Sequence, residues 1–362
     1  MAKINDLWSH LSATDKKIVI YGMGNGADKI LSVLDERGIR VCDFFASDGF
    51  VRGHTFHGKR VLSYSEVKEK YGAQNMIVLL SFASSLTDVL ANIYKIAEEC
   101  ELYAPDVPVC GTELFDGEFY RDNAEKIARV RDLLADDESK RVYDSVIAYK
   151  LSGSVTHLKD THSSFDAALR DVLGASDFEY AVDLGAYNGD TVRELSGVAP
   201  RLKRVIAFEP DKRNFKKLGE YAAREQRFEI ELCNVAAWSM RDTLVFDGGG
   251  SRNSTLISPD SMTVGKAQKT VEVNANSPDN IIGDRRVDYI KYDVEGAEKE
   301  AILGSFKTIA RQTPALCVSL YHRSGDIFEL PLMIHQAFPQ YRFYIRRRQY
   351  VPAWDTMLLA KK

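Results

Sequence analysis

The sequence predicts an α/β chain with two Rossmann-like domains, a smaller one at residues 1–115 and a larger one at 165–362, joined by a helical connector at 116–164. Short apolar runs recur that end in small or acidic residues, as buried strands of a parallel sheet do. Most are followed by amphipathic stretches of helical period. Two of the strand-to-helix turns are rich in glycine, Gly22-Met23-Gly24-Asn25-Gly26-Ala27 and Gly185-Ala186-Tyr187-Asn188-Gly189. Such turns free the backbone at the carboxyl edge of an open sheet, where doubly wound folds bind their ligands.

With 362 residues and 45% apolar composition, the chain can bury a large core. Its 48 Lys and Arg against 52 Asp and Glu leave a formal charge of -4, without the global basic field that draws a protein to nucleic acid. The five cysteines are scattered and show no C-x-x-C pair, which argues against a zinc site or a disulfide framework. The first residues lack an apolar leader core, and no stretch approaches the roughly 18 apolar residues that span a bilayer, so a cytoplasmic protein without a membrane span is expected.

In chain order, 17–21 reads as a strand, the first glycine turn matches G-x-G-x-x-A, and 28–37 reads as a helix. The second strand, 40–46, brings Asp43 and Asp48 as candidate acidic partners for a nucleotide. Residues 76–81 and 86–99 follow as strand and helix. The turn suits a nucleotide or nucleotide-sugar site, or equally a tight turn in a scaffold that holds no ligand. In the connector, Ile127, Val130, Leu134, Val142 and Val146 share one face, Asp136 or Asp137 caps the second of two helices, and Gly153 closes it.

The larger domain opens with 180–191, Y-A-V-D-L-G-A-Y-N-G-D-T. Asp183 and Asp190 stand where a pyrophosphate would sit, so this turn repels an anion and favours a cation. Twenty-six positions on, the strand 205–208 ends in Glu209, where such folds grip a ribose diol. A nucleoside that carries positive charge is implied, and S-adenosylmethionine fits. A third strand, 228–232, leads to Asn234 and Ala236, which suit an adenine edge. The strand 243–246 runs into the glycine-rich 248–255, a loop expected to cover the site or turn flexibly. The stretch 287–298, V-D-Y-I-K-Y-D-V-E-G-A-E, delivers Asp293 and Glu295 to the same edge, and 316–320 delivers His322. Residues 341–345 and 356–360 read as a final hairpin, whose Arg346, Arg347 and Arg348 either solvate the turn or hold a substrate phosphate.

These pieces in this order, D-L-G-A-Y-N-G-D-T, A-F-E-P-D, N-V-A-A-W-S, the glycine-rich R-N-S-T loop and D-Y-I-K-Y-D-V-E-G-A-E, resemble the FkbM family of S-adenosylmethionine-dependent methyltransferases across roughly 165–362. The resemblance implies a class I methyltransferase sheet with an antiparallel last strand, and O-methylation of a hydroxyl on a sugar, glycan or related small molecule. It places Asp183, Gly185, Asn188 and Gly189 at the methionine end of the cofactor, Glu209 at the ribose, Asn234 and Ala236 at the adenine, and Asp293 with Glu295 beside the methyl group. The smaller domain lies outside the family's core. Its glycine turn, with the F-F-A-S-D and G-K-R-V-L that follow, is similar to the N-terminal domain of bacterial sugar O-acyltransferases, a second hint toward sugars.

Methyl transfer from a sulfonium is an in-line displacement that needs a positioned acceptor and a base for its proton. His322 is the first candidate base, with Asp293 or Glu295 as alternatives. A Mg²⁺ ion on Asp293, Glu295 and a third ligand would also acidify the hydroxyl, although the spacing alone assigns no metal ligands. The rival readings are an NAD-dependent oxidoreductase of nucleotide sugars working from the first domain, and a nucleotide-sugar-binding module without catalysis.

Overall fold

The computed structural model describes residues 6–51, 53–247 and 270–362, so the loop expected at 248–255 lies outside the described residues. The first domain contains β1 (Lys17–Tyr21), β2 (Val41–Ala46), a small hairpin of β3 (Thr55–Phe56) and β4 (Lys59–Arg60), β5 (Leu62–Ser63), β6 (Met76–Leu80) and β7 (Glu101–Tyr103). Its five-stranded sheet has the order β5-β2-β1-β6-β7 and every pair is parallel. All of β6 is buried, as a central parallel strand requires.

The glycine turn after β1 has a packing reason. A Cβ on Gly22 would lie 2.6 Å from Ser81 Oγ and 2.8 Å from the Phe82 ring, and one on Gly26 would lie 2.0 Å from the Ser81 carbonyl oxygen. Ala27, in the third fingerprint position, is fully buried. Close approach of the turn to the end of β6 therefore accounts for these residues without a ligand. The two acids proposed as nucleotide partners are otherwise engaged. Asp43 sits within β2 rather than at its end and accepts hydrogen bonds from Lys70, at 2.8 Å, and from the Tyr71 hydroxyl. Asp48 accepts from the Ser65 backbone and hydroxyl.

The connector forms two helices, Gly117–Leu133 and Asp137–Ser152. Asp136 caps the second by accepting from the Ser139 backbone at 2.7 Å, and Gly153 ends it in the left-handed conformation. Ile127, Val130, Leu134, Val142 and Val146 are buried in one apolar cluster that also contains side chains from both sheets, so the connector packs between the domains.

The second domain contains β8 (Tyr180–Leu184), β9 (Arg204–Phe208), β10 (Glu229–Cys233), β11 (Ala236–Ala237), β12 (Asp242–Asp247), β13 (Thr270–Asn276), β14 (Tyr289–Tyr292), β15 (Ala315–Ser319), β16 (Arg342–Arg347) and β17 (Thr356–Lys361). Seven of them form a sheet of order β10-β9-β8-β14-β15-β17-β16, parallel except for β17, which runs antiparallel to both neighbours. The expected antiparallel last strand is present. Sequence reading did not anticipate the separate three-stranded sheet β11-β13-β12. Strand order reverses between β8 and β14, which opens a crevice at their carboxyl ends. No helix among the described residues is long and apolar enough to cross a membrane.

The three arginines neither solvate a turn nor face a substrate phosphate. Arg346 and Arg347 belong to β16 itself, and both are buried. Arg346 pairs with Asp136 at 2.7 Å and Glu138 at 3.2 Å, and donates to Ser139 Oγ at 2.8 Å. Arg347 donates to the Leu158 carbonyl at 2.9 Å and to Thr161 Oγ1 at 3.1 Å. Arg348 grips Glu194 with two bonds and covers the Phe165 ring at 4.1 Å. They lock the last hairpin onto the connector and the flanking helix. Replacing Arg346 with alanine strands Asp136 and Glu138 opposite a cavity, and should lower unfolding stability by about 2 kcal/mol in denaturant titrations.

Candidate active site

Parallel register sets the spacing of the site. Asp183 on β8 pairs with Lys291 on β14, and Lys291 pairs with Cys317 on β15. The strand ends therefore stand level, with Asp293 just past β14 and Tyr321-His322 just past β15. Gly185 has φ 87°, and a Cβ there would lie 1.9 Å from the Asp293 carbonyl oxygen. Glycine at that position lets the first loop lie directly against Asp293. Gly189 likewise admits the Tyr221 ring, which a Cβ would meet at 2.5 Å.

Lys291 is a residue that sequence reasoning missed. It is 3% exposed, with its ammonium 3.0 Å from Asp293 Oδ2 and 3.8 Å from Asp183 Oδ1. Burial works against its charge, yet Asp293 and Asp183 outweigh burial and hold its pKa above the ordinary value. Burial also opposes ionisation of Asp293, but Lys291, His322 and the Ser319 hydroxyl bring its carboxyl down to about 2. Asp293 Oδ1 accepts from Ser319 Oγ at 2.9 Å and from the Tyr321 hydroxyl at 3.1 Å. Asp293 is thus a fixed anion. For Asp183 burial prevails and raises the carboxyl against the pull of Lys291. One of its oxygens is bonded by Thr191 Oγ1, while Oδ1 is buried without a hydrogen-bond partner.

His322 is fully buried within a ring of acids. Its Nδ1 lies 2.9 Å from Glu298 Oε1, and its Nε2 lies 3.5 Å from Glu295 Oε2 and 3.7 Å from Asp293 Oδ1. None of these contacts is aligned as a hydrogen bond. Burial disfavours the imidazolium, but Glu298, Glu295 and Asp293 together raise its pKa to about 10. An imidazole already protonated at neutral pH does not take another proton, and no atom of this ring meets solvent. The structure thus brings His322 to the expected edge in a state unsuited to the base role first expected of it. Glu295 is the exposed member, with 42% of its side chain open. It adopts φ 52°, a left-handed conformation that is unusual outside glycine. Glu298, which sequence reading did not single out, is 1% exposed and holds the far side of the ring.

On the other flank, Glu209 is buried and accepts from the backbone N–H groups of Tyr187 and Asp211, each at 2.8 Å. Burial pushes its carboxyl up to about 7. Each oxygen retains a lone pair for a further donor. Asn234 donates its amide N–H₂ to the Glu209 and Pro210 carbonyls, so it fixes the loop that carries Glu209. Ala236 is buried in β11, paired with Ala275. Asp190 is exposed at the start of the helix Asp190–Val198, and Asn188 lines a separate hollow of about 290 Å³ with Arg193, Lys217 and Tyr221. A buried carboxylate oxygen at Asp183 that accepts no hydrogen bond and the lone pairs on Glu209 suit S-adenosylmethionine, with its sulfonium, ammonium and ribose hydroxyls.

The first domain reaches into this edge, which sequence reading did not foresee. Cys110 donates its backbone N–H to the His322 carbonyl at 2.8 Å and its thiol to the Glu295 carbonyl at 3.1 Å. A Cβ on Gly296 would lie 2.8 Å from Cys110. Ser84 exchanges backbone hydrogen bonds of 2.9 and 3.0 Å with Val351 in the last hairpin.

Residues 183–352 match the family described as Methyltransferase FkbM domain. Among solved structures, the chain is similar to the methyltransferase FkbM from Methylobacillus flagellatus KT, with 21% identity and a TM-score of 0.70 over 95% of this chain and 90% of that one. That likeness spans both domains and the connector. It is also similar to SMU.1697c, a putative methyltransferase from Streptococcus mutans in complex with SAH, with 12% identity and a TM-score of 0.33 over 53% of this chain and 94% of that one. No curated protein matches. The family match and the acid-lined crevice lead to one conclusion: the chain carries an FkbM methyltransferase domain and is an S-adenosylmethionine-dependent methyltransferase.

Proposed function

We propose that the protein methylates a hydroxyl of a sugar or glycan unit in the cytoplasm. The observation that carries this reading is a run of aromatic rings ending at the acids. Tyr350 and Trp354 lie 5.9 Å apart at 29°, Trp354 and Tyr321 lie 6.4 Å apart at 27°, and the Tyr321 hydroxyl is bonded to Asp293. Sugars offer an apolar face to such rings while their hydroxyls seek carboxylates. The bound cofactor supplies an electrophilic methyl group on a sulfonium. Asp183 faces the ammonium end, Glu209 accepts from the ribose hydroxyls, and the Asn234 carbonyl with the wall at Ala236 receives the adenine. Asp293, fixed by Lys291, Ser319 and Tyr321, orients the acceptor. Glu295 takes the proton of the reacting hydroxyl, since its side chain is partly open to solvent while His322 and Glu298 are enclosed.

Glu295→Gln should lower kcat by about 10²-fold or more, with affinity for S-adenosylhomocysteine unchanged. Unaltered turnover would remove Glu295 from this role. Trp354→Ala should raise KM for a sugar acceptor about tenfold and leave the cofactor KM in place, measured with oligosaccharides and nucleotide sugars against a catechol control. Methylation of the catechol alone would overturn the sugar reading.

Glu209 gives a pH dependence. Its carboxyl, lifted by burial with Asp211 and Asp183 adding to the rise, ionises near 7, and the anion is the better acceptor for two ribose hydroxyls. Affinity for S-adenosylhomocysteine in calorimetry should therefore increase between about pH 6 and 8 and be flat in Glu209→Gln. The sign for stability is opposite. A carboxyl raised from 4.5 to about 7 on folding binds more protons in the native state, so its contribution declines as pH rises through that window.

A further inference from the structure

We infer that Asp293, Glu298 and His322 form a binding site for one divalent transition cation, of the Mn²⁺ or Zn²⁺ type, at the acceptor side of the crevice. Each residue brings one donor atom within 4.8 Å of the others. Two donors bound to a common ion at about 2.1 Å lie about 3.0 Å apart in an octahedron and about 3.4 Å apart in a tetrahedron. His322 Nδ1 lies 2.9 Å from Glu298 Oε1, which is of that size, while Asp293 Oδ1 lies 3.7 Å from the other ring nitrogen, so an ion shared by all three draws Asp293 inward.

Unmet hydrogen-bonding capacity carries the inference further than the acids alone. Both ring nitrogens of the fully buried His322, and Oε2 of Glu298 at 1% exposure, have no hydrogen-bond partner. Buried polar atoms are almost always satisfied, and since the two ring nitrogens point away from each other, one of them, with its proton displaced, can share an ion with Glu298 and Asp293. Charge agrees. Among the described residues Asp293 and Glu298 face Lys291 at this spot, and the imidazole is neutral once an ion displaces its proton, so a cation is favoured there.

The outer shell is built as metal sites require. The Ser319 and Tyr321 hydroxyls hold Asp293 Oδ1, Lys291 holds Oδ2, and the Val294 N–H holds Glu298 Oε1 at 2.9 Å. An imidazole among carboxylates selects a first-row transition ion over Mg²⁺ or Ca²⁺, which prefer oxygen donors throughout. This differs from the sequence expectation of Mg²⁺ on Asp293 and Glu295, because Glu298 replaces Glu295 at the core and a nitrogen enters. An ion held there would stand beside Asp293, next to Glu295, and would supply Lewis acidity to a hydroxyl that reached it. Binding of the ion itself does not depend on which acceptor the enzyme uses.

The test is titration of chelator-stripped full-length protein with Mn²⁺, read by loss of the free-ion paramagnetic resonance signal, with Zn²⁺ followed by calorimetry and Mg²⁺ as a comparison. About one Mn²⁺ per chain should bind, at least about tenfold more tightly than Mg²⁺, and Glu298→Gln and His322→Asn should each weaken it at least about tenfold. Thermal unfolding without metal checks that the variants fold, and a metal-dependent rise in the wild-type midpoint gives a readout that needs no variant. Absence of saturable binding to the wild type, with an unmoved midpoint, means that the cluster holds only a protonated imidazole and overturns the inference. Equal binding by folded variants overturns it as well, by placing the ion elsewhere.

Discussion

The second domain depends on how one buried ammonium is balanced. Lys291 lies inside the sheet in register with Asp183, and its charge is tolerable there only because Asp183 and Asp293 converge on it. Removing one partner of such a group typically costs about 3–5 kcal/mol, since the remaining charge cannot return to water. That penalty holds the ends of β8 and β14 level and aims Asp293 in one direction. It also demands that Gly185 remain free of a side chain, because the strand ends approach too closely for one.

Much of this edge was legible in the sequence. Asp183, Glu209 and Asp293 each follow an apolar run and precede a glycine or proline turn, so strand periodicity alone places them at the carboxyl ends of parallel strands. Lys291 was hidden because alternation around it reads as an ordinary strand, and nothing local reveals that Asp183 approaches it across the sheet while Asp293 turns back onto it from two residues on. Glu298 was not singled out, because it stands in the first turn of the helix Glu298–Leu303, where an acid is ordinary. His322 was correctly placed at the edge, but its surroundings come from a helix whose packing the chain order does not disclose. Asp43 failed for a related reason, since the strand it sits in ends three residues later than an acid at its tip would need.

The same asymmetry separates the two glycine turns. Both read as ligand loops, and in both the glycines admit a neighbour's backbone or ring. After β1 that neighbour is Ser81 and Phe82, and the turn is filled by its own domain. After β8 it is Asp293, and the approach leaves acids facing an open crevice. Fingerprint spacing records the tight turn and is silent about what lies opposite it.

The contact between Cys110 and the Glu295-Gly296 turn has a broader consequence. The strained backbone at Glu295 is braced from outside its own domain, by a segment whose position follows from the first sheet and from Lys29, which donates to the Pro108 and Val109 carbonyls. The two halves are therefore poor candidates for modular exchange. A methyltransferase domain shuffled onto a different leading domain would keep its sheet and its acids but lose the brace, and drift at this position would have to be matched by compensating change at the seam.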